Sequence, residues 1–451
     1  MNSSRVSVRA AFIAVTTLFF AWGFITSLLD PLVAAVKGIF ILSDTEAQLS
    51  AFAFFIAYGV VSFPAAVLIA RVRAVPSILL ALAMMALACI VMLLAANMAI
   101  YAIVLAGLFI LASGITILQV AANPLAAALG PPERSHFRLT LSQTFNSFGT
   151  FIGPWLGASL FLAGVEVGDG AALDPQVRAG ALAGIDRAYF WICGLILLLL
   201  AFFWFNRRTV SAAAPAPPSA QGVGAMISEA VASCWTVLGG GAIFLYVGAE
   251  VAIGTQMALF LNSPAVWANS DAAFSVPFLG WVMNSDGVPG VSLEEAGRAV
   301  AFYWGGAMVG RAVGSLLLTR FPAALLLALF ATIACTMCLY VLAVGGVSGG
   351  FVALSIGFFN SIMFPVIFTL TLERSTARQE ATSGFLCTAI VGGAFLPLLV
   401  GVVSDASSYT FAFIVPAACY VVILAFGWAA GRAPAAPRSP DDGADIMAHG
   451  H

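Results

Sequence analysis

Asp30 stands in AWGFITSLLDPL, well inside an almost uncharged apolar run that begins near Val8. A carboxylate at the centre of a membrane helix costs about 2.5 to 3.5 kcal/mol on insertion scales, and such acids face a bundle interior or a water-filled path. Desolvation penalises the charged form of a carboxyl. Asp30 is therefore a candidate for reversible protonation, the property a proton-coupling group needs. The competing reading ends the first helix near Leu29 and makes Asp30 a cap at its outer end; Pro31 adds a local break in either case.

A second set of residues carries neutral amides. Gln119 and Asn123 lie one helical turn apart in ILQVAANPL and point the same way, and Gln143 and Asn146 share a helix face in LSQTFNSFGTFIG. Asn360, followed by Ser361, adds a fifth amide. Amides both donate and accept, which suits the hydroxyls of an uncharged sugar better than a carboxylate, a phosphate or a metal. Any one of them could equally be interhelical glue; five on inner faces shift the balance toward a substrate site. Trp22, Tyr58, Phe145 and Trp304 are aromatic rings that could stack on a sugar, although such rings are common in packed spans. Glu250, in YVGAEVAIGTQ, and Arg311, in MVGRAVGS, are the other deep charges. An isolated charge is costly in this medium, so they are expected to form a structural or gating ion pair.

These residues must be positioned by membrane helices. The chain has 451 residues, of which 62% are hydrophobic and only 8% charged, whereas soluble domains carry about a quarter charged residues. Runs of about 20 apolar residues cross a bilayer. Twelve are read, at 10 to 34, 47 to 70, 75 to 96, 99 to 126, 138 to 163, 186 to 206, 230 to 262, 297 to 319, 322 to 345, 349 to 371, 381 to 403 and 408 to 430. The first is too long for a signal-peptide core and is expected to be retained.

With a cytoplasmic N-terminus, all but five of the 18 Lys and Arg fall on the inner side. Lys37, Arg178, Arg187 and Arg298 fall outside and Arg311 within a span, so both termini are expected in the cytoplasm. The chain is expected to be multi-pass in the cell inner (plasma) membrane, as a monomer. Nothing in the charge pattern supports nucleic-acid binding. All seven cysteines lie in or beside apolar spans, where thiols behave as small hydrophobes. The C-x-x-C spacing of Cys335 and Cys338 has no His or acidic neighbours, so packing is favoured over metal or redox work. No cofactor and no metal are expected, and no triad, metal cluster or phosphate loop supports an enzyme.

The Ala-, Pro- and Ser-rich stretch NRRTVSAAAPAPPSAQGVGAMISEA divides the chain. The expected organisation is a six-helix half at 1–206, a cytoplasmic linker at 207–229, a second half at 230–431 and a disordered tail at 432–451. The halves resemble each other: AFAFFIAYGVVSFPAAVLIAR from Ala51 parallels AFYWGGAMVGRAVGSLLLTR from Ala301, and QVAANP with a later ERS parallels NSIMFP with ERS. Such repeats are usual in secondary transporters. Gly149, Gly153 and Gly157, and likewise Gly306, Gly310 and Gly314, form small faces that permit close helix approach and are expected to let the two halves slide or rock. The 263–296 loop is read either as a cap on the outer mouth or as a tolerated insertion.

GITILQVAANP, LGPPERSHFRLTLSQTFNSFG, YVGAEVAIG, AFYWGGAMVGR and FFNSIMFPVIFTLTLER together resemble the fucose:proton symporter family of the major facilitator superfamily, and more closely its bacterial glucose/galactose branch. The resemblance implies an all-α fold of twelve helices in two pseudo-symmetric halves, around a central cavity reached alternately from each side. It implies that Asp30 takes part in proton coupling and that Gln143 and Asn146 contact sugar. Fucose transporters carry a glutamate where this chain has Gln119, which leaves Asp30 as the cation-linked group of the first half and Gln119 as a neutral sugar contact. The loop RVRAVPS lacks the acidic residue of the superfamily's usual motif. The expected activity is import of a neutral hexose, glucose or galactose or else fucose, by proton symport. A sodium-coupled carrier, an uncoupled facilitator and a non-transporting sugar sensor are the alternatives.

Overall fold

In hydrocarbon no water is present to satisfy backbone N–H and C=O groups, so an apolar chain of this kind must close its hydrogen bonds within helices. The computed structural model describes residues 2–129, 135–163, 165, 174–214, 222–270, 277–285, 287–318 and 320–434, and they are helical almost throughout. Twelve crossings are numbered here as α1 (Asn2–Ser27 and Leu29–Phe40), α2 (Asp44–Val72), α3 (Ala74–Met98), α4 (Tyr101–Ala128), α5 (Ser135–Phe161), α6 (Pro175–Ala213), α7 (Cys234–Leu261), α8 (Leu293–Leu318), α9 (Ala323–Val344), α10 (Gly346–Asn360 and Met363–Arg374), α11 (Gln379–Thr388 and Gly392–Ala406) and α12 (Ile414–Arg432). Ten have both the length and the apolarity to span a bilayer. The other two, α5 and α8, are 27 and 26 residues long and are the more polar, because they carry Gln143, Asn146, Arg298 and Arg311.

The packing repeats between the halves. Contacts of α1 with α5, α2 with α4 and α3 with α6 recur as α7 with α11, α8 with α10 and α9 with α12. The halves meet along two seams, α5 against α8 and α2 against α11. The two polar helices thus lie together on one seam between the halves.

The glycine faces work inside each half. A Cβ at Gly149 or Gly153 would strike the α1 backbone at Phe20 or Phe24, and one at Gly157 would strike Leu28 and Pro31. Gly306, Gly310 and Gly314 meet Phe358, Ser361 and Ile362 of α10 in the same manner. They therefore fix α1 on α5 and α10 on α8, not one half on the other.

Helix α1 does not end near Leu29. It breaks at Leu28 and resumes to Phe40, so the uninterrupted apolar span is Ala10–Phe40. Pro31 has no N–H to return to the Ser27 carbonyl, which is why the ladder fails there. Asp30 falls in the first turn of the second segment, where the unpaired N–H groups and the helix dipole favour a carboxylate.

An even number of crossings puts the ordered ends of the chain, in α1 and α12, at one end of the bundle. The region expected to link the halves is partly helical: α6 runs on to Ala213, and a short helix at Val223–Ala232 is tied to the second half by Glu229, which binds Arg378. Residues 215–221 of that linker and 435–451 of the tail lie outside the described residues.

Candidate functional site

Asp30 is 4% exposed and meets the second half of the molecule. The Trp304 indole N–H of α8 donates to its Oδ2 at 2.6 Å, and Gly254 of α7 lies against its Oδ1 side. The absence of a side chain at Gly254 gives the carboxylate room. A ring expected only as a possible stacking surface is therefore the direct partner of the buried acid.

Glu250 precedes Gly254 by one turn of α7, so the two deep acids share a neighbourhood from opposite halves. Tyr303, next to Trp304 in sequence, donates its hydroxyl to the Glu250 main-chain carbonyl at 3.1 Å. Consecutive residues of α8 thus hold Asp30 and the turn that bears Glu250. Glu250 Oε1 is buried without a hydrogen-bond partner. Arg311 lies in its electrostatic reach but donates instead to Ser147 Oγ of α5 at 2.5 Å, across the seam. Contact-range ion pairs among the described residues include Lys37–Asp44, Arg298–Glu294, Arg374–Glu373 and Arg378–Glu229.

The amides divide by environment. Gln119 Nε2 donates to the Tyr58 hydroxyl at 2.9 Å, which joins two of the expected site residues on α4 and α2. Asn123, one turn on, has its Oδ1 buried without a partner. Gln143 is half-buried. Asn146 Nδ2 donates to the Phe19 carbonyl at 3.1 Å, a contact that bonds α5 to α1 in the manner of interhelical glue. Trp22 is buried and its ring lies 4.1 Å from that of Phe19, so it packs within the first half.

Asn360 is fully buried at the break in α10. Its Nδ2 donates to Tyr303 at 2.8 Å, its Oδ1 accepts from Tyr420 at 2.7 Å and its carbonyl accepts from Tyr246 at 3.0 Å. This tyrosine cage was not foreseen from the sequence, where the three tyrosines are dispersed over α7, α8 and α12.

At the end of the bundle away from the termini the halves are latched together. Asp405 of α11 accepts from the backbone N–H groups of Asp44 and Thr45 at 2.7 and 2.8 Å and from the Thr45 hydroxyl at 2.6 Å. It caps the N-terminus of α2 from the opposite half, beside a local capping box made by Ser43 and Glu46. Asp44 in turn accepts from Ser404 at 2.7 Å and Tyr409 at 2.8 Å and pairs with Lys37. The 263–296 loop joins this end: its Val282 carbonyl accepts from Trp155, and Arg298 bonds both Met283 and Ser159.

The Major Facilitator Superfamily sequence profile matches residues 11–386. The chain belongs to the major facilitator superfamily. Within it, the chain is 39% identical over 431 residues to the glucose/galactose transporter of Brucella abortus, covering 94% of this chain and 95% of that protein. It is 29% identical to the L-fucose-proton symporter of Escherichia coli, over 92% of each. The crystal structure of the transporter FucP in the outward conformation superposes with a TM-score of 0.66 and 26% identity, over 95% of this chain and 100% of that one. A superfamily member of this architecture is a multi-pass membrane transporter and not an enzyme.

Proposed function

We propose that this transporter imports a neutral hexose, glucose or galactose or else fucose, by proton symport across the cell inner membrane, as a monomer with both termini in the cytoplasm. The observation that carries the reading is the carboxylate of Asp30, buried at a helix break and bonded to Trp304 of the other half. A group so placed changes its surroundings whenever the halves rock apart, so its protonation is linked to which side the site faces. The glucose/galactose transporter and the L-fucose-proton symporter among its relatives support a sugar as substrate and a proton as the cation.

Gln119, Asn123 and Gln143 are the amides with polar capacity left for sugar hydroxyls, with Tyr58 orienting Gln119. Asn146, Asn360 and Trp22 hold the frame in the state observed. With the termini inside, the latched end is the outer one, and the state is closed to the outside. Asp30 takes its proton in the outward-open state and gives it up toward the cytoplasm.

Uptake of labelled glucose, galactose and fucose into proteoliposomes, without sodium and with an inward proton gradient imposed or collapsed, tests this. Accumulation of one sugar above equilibrium only with the gradient is expected. Equilibration without accumulation would make the protein a facilitator, accumulation only with sodium would change the cation, and no flux of any hexose would overturn the substrate class.

A further inference from the structure

Building on the hexose reading, we propose that Glu250 is the hydroxyl acceptor on the C-terminal side of the site, binding a sugar O–H, or two vicinal ones, through its carboxylate. Its Oε1 is buried and has no hydrogen-bond partner, while the residue as a whole is only half-buried. A carboxylate has room for about four donors. The Tyr246 hydroxyl has two acceptors for its single proton, the Glu250 carboxyl and the Asn360 carbonyl, and the Tyr303 hydroxyl goes to the Glu250 main chain, so the neighbouring donors leave Oε1 unpaired.

Arg311 supplies positive field without contact, its guanidinium being held by Ser147. That field opposes the cost of desolvating the carboxyl without occupying Oε1. A polar group left unpaired in such a site is expensive, and an uncharged polyol brings hydrogen-bond donors with no charge of its own. Asn123, whose Oδ1 is likewise unpartnered, lies in the opposite half. A sugar bound at Glu250 would lie on α7, whose Gly254 abuts Asp30, and so beside the coupling carboxylate.

The test is counterflow exchange of the transported hexose, with no gradient, by wild type, Glu250→Gln and Glu250→Asp, competed by each monodeoxy analogue of that sugar. In wild type, removing one or two particular hydroxyls is expected to weaken competition by about 10- to 100-fold, the range of a hydrogen bond to a charged group. Glu250→Gln is expected to raise KM by a similar factor and to flatten that dependence at the same hydroxyls, whereas Glu250→Asp keeps the pattern. An unchanged KM, or a KM rise with the deoxy pattern intact, overturns the proposal and leaves Glu250 a packing group. A KM unchanged with fewer protons moved per sugar also overturns it, in favour of a second proton carrier. Absence of exchange by wild type with any hexose is a failure of the hexose reading itself, and Glu250 then has no sugar to accept. If Glu250→Gln does not fold, the Glu250→Asp pattern decides: a changed set of sensitive hydroxyls with unchanged uptake of the parent sugar counts against the contact.

Discussion

The indole N–H of Trp304 and the carboxylate of Asp30 meet at 2.6 Å across the boundary between the two halves. A fixed donor holds the buried carboxylate in place, and the bond must break when the halves separate. A hydrogen bond to a charged group contributes about 1.5 to 3 kcal/mol. Trp304→Phe keeps the ring and removes the donor. We expect gradient-driven uptake to fall roughly tenfold in kcat/KM, and counterflow exchange, which Asp30→Asn retains, to show no further fall when Trp304→Phe is added to Asp30→Asn, because the two changes break one interaction. Additive losses in the double variant would assign Trp304 a separate role.

The cap that Asp405 places on α2 joins the halves at the end of the bundle away from the termini. Asp405→Ala removes three accepted bonds and should shift the population toward the outward-open state. Gln256 is 5% exposed and sits near Tyr409 beneath the latch. With the native cysteines replaced, a Gln256→Cys reporter should react with an impermeant maleimide at least about fivefold faster in Asp405→Ala, the factor that 1 kcal/mol carries. An equal rate would show that the latch does not govern access.

Gly153 lies against the backbone of Phe24 and the side chain of Ser27, one turn before the break that carries Asp30. Gly153→Leu has nowhere to put its side chain without parting α1 from α5. Overpacking of this kind costs about 1 to 3 kcal/mol, so thermal unfolding in detergent should come several degrees lower. Gly180→Leu, at a glycine with open space around it, should leave Tm unchanged.

Outside the membrane, the Arg378 side chain and backbone N–H hold the Glu229 carboxyl below its usual range. A carboxyl whose pKa is depressed by folding stabilises the fold above its unfolded value and loses that contribution as pH falls through the lower folded value. Glu229→Gln should therefore lower Tm slightly at pH 7, with the difference from wild type shrinking below about pH 4. The pair is partly exposed and its effect should weaken in high salt. A difference that grows on acidification would contradict this sign.

The twelve crossings, the helix-breaking Pro31 and the depth of Asp30 were legible because lipid enforces long apolar helices and makes every interior charge conspicuous. The reach of α1 to Phe40 was not, because Leu29–Phe40 reads equally as a helix end when its partner α7 is out of view. Gln119 with Tyr58 was foreseen as two separate site residues, and only the fold brings them to 2.9 Å. The partners of Asn360 and Asp30 come from residues far apart in sequence, and no local spacing announces that Tyr420 or Trp304 will supply a proton. The latch is not legible for a different reason: Asp44 and Asp405 sit at span ends, where acids are ordinary. The glycine faces were read correctly as close-packing surfaces but tied to motion between the halves, whereas each lies within one half.

Coupling through Asp30 is tested most directly by comparing wild type with Asp30→Asn in proteoliposomes, measuring both uphill hexose accumulation under an inward proton gradient and counterflow exchange without one. Loss of accumulation with exchange retained is expected, since the amide keeps the size of the side chain and cannot cycle a proton. Accumulation that persists unchanged in Asp30→Asn would contradict the assignment of Asp30 as the proton-coupling group.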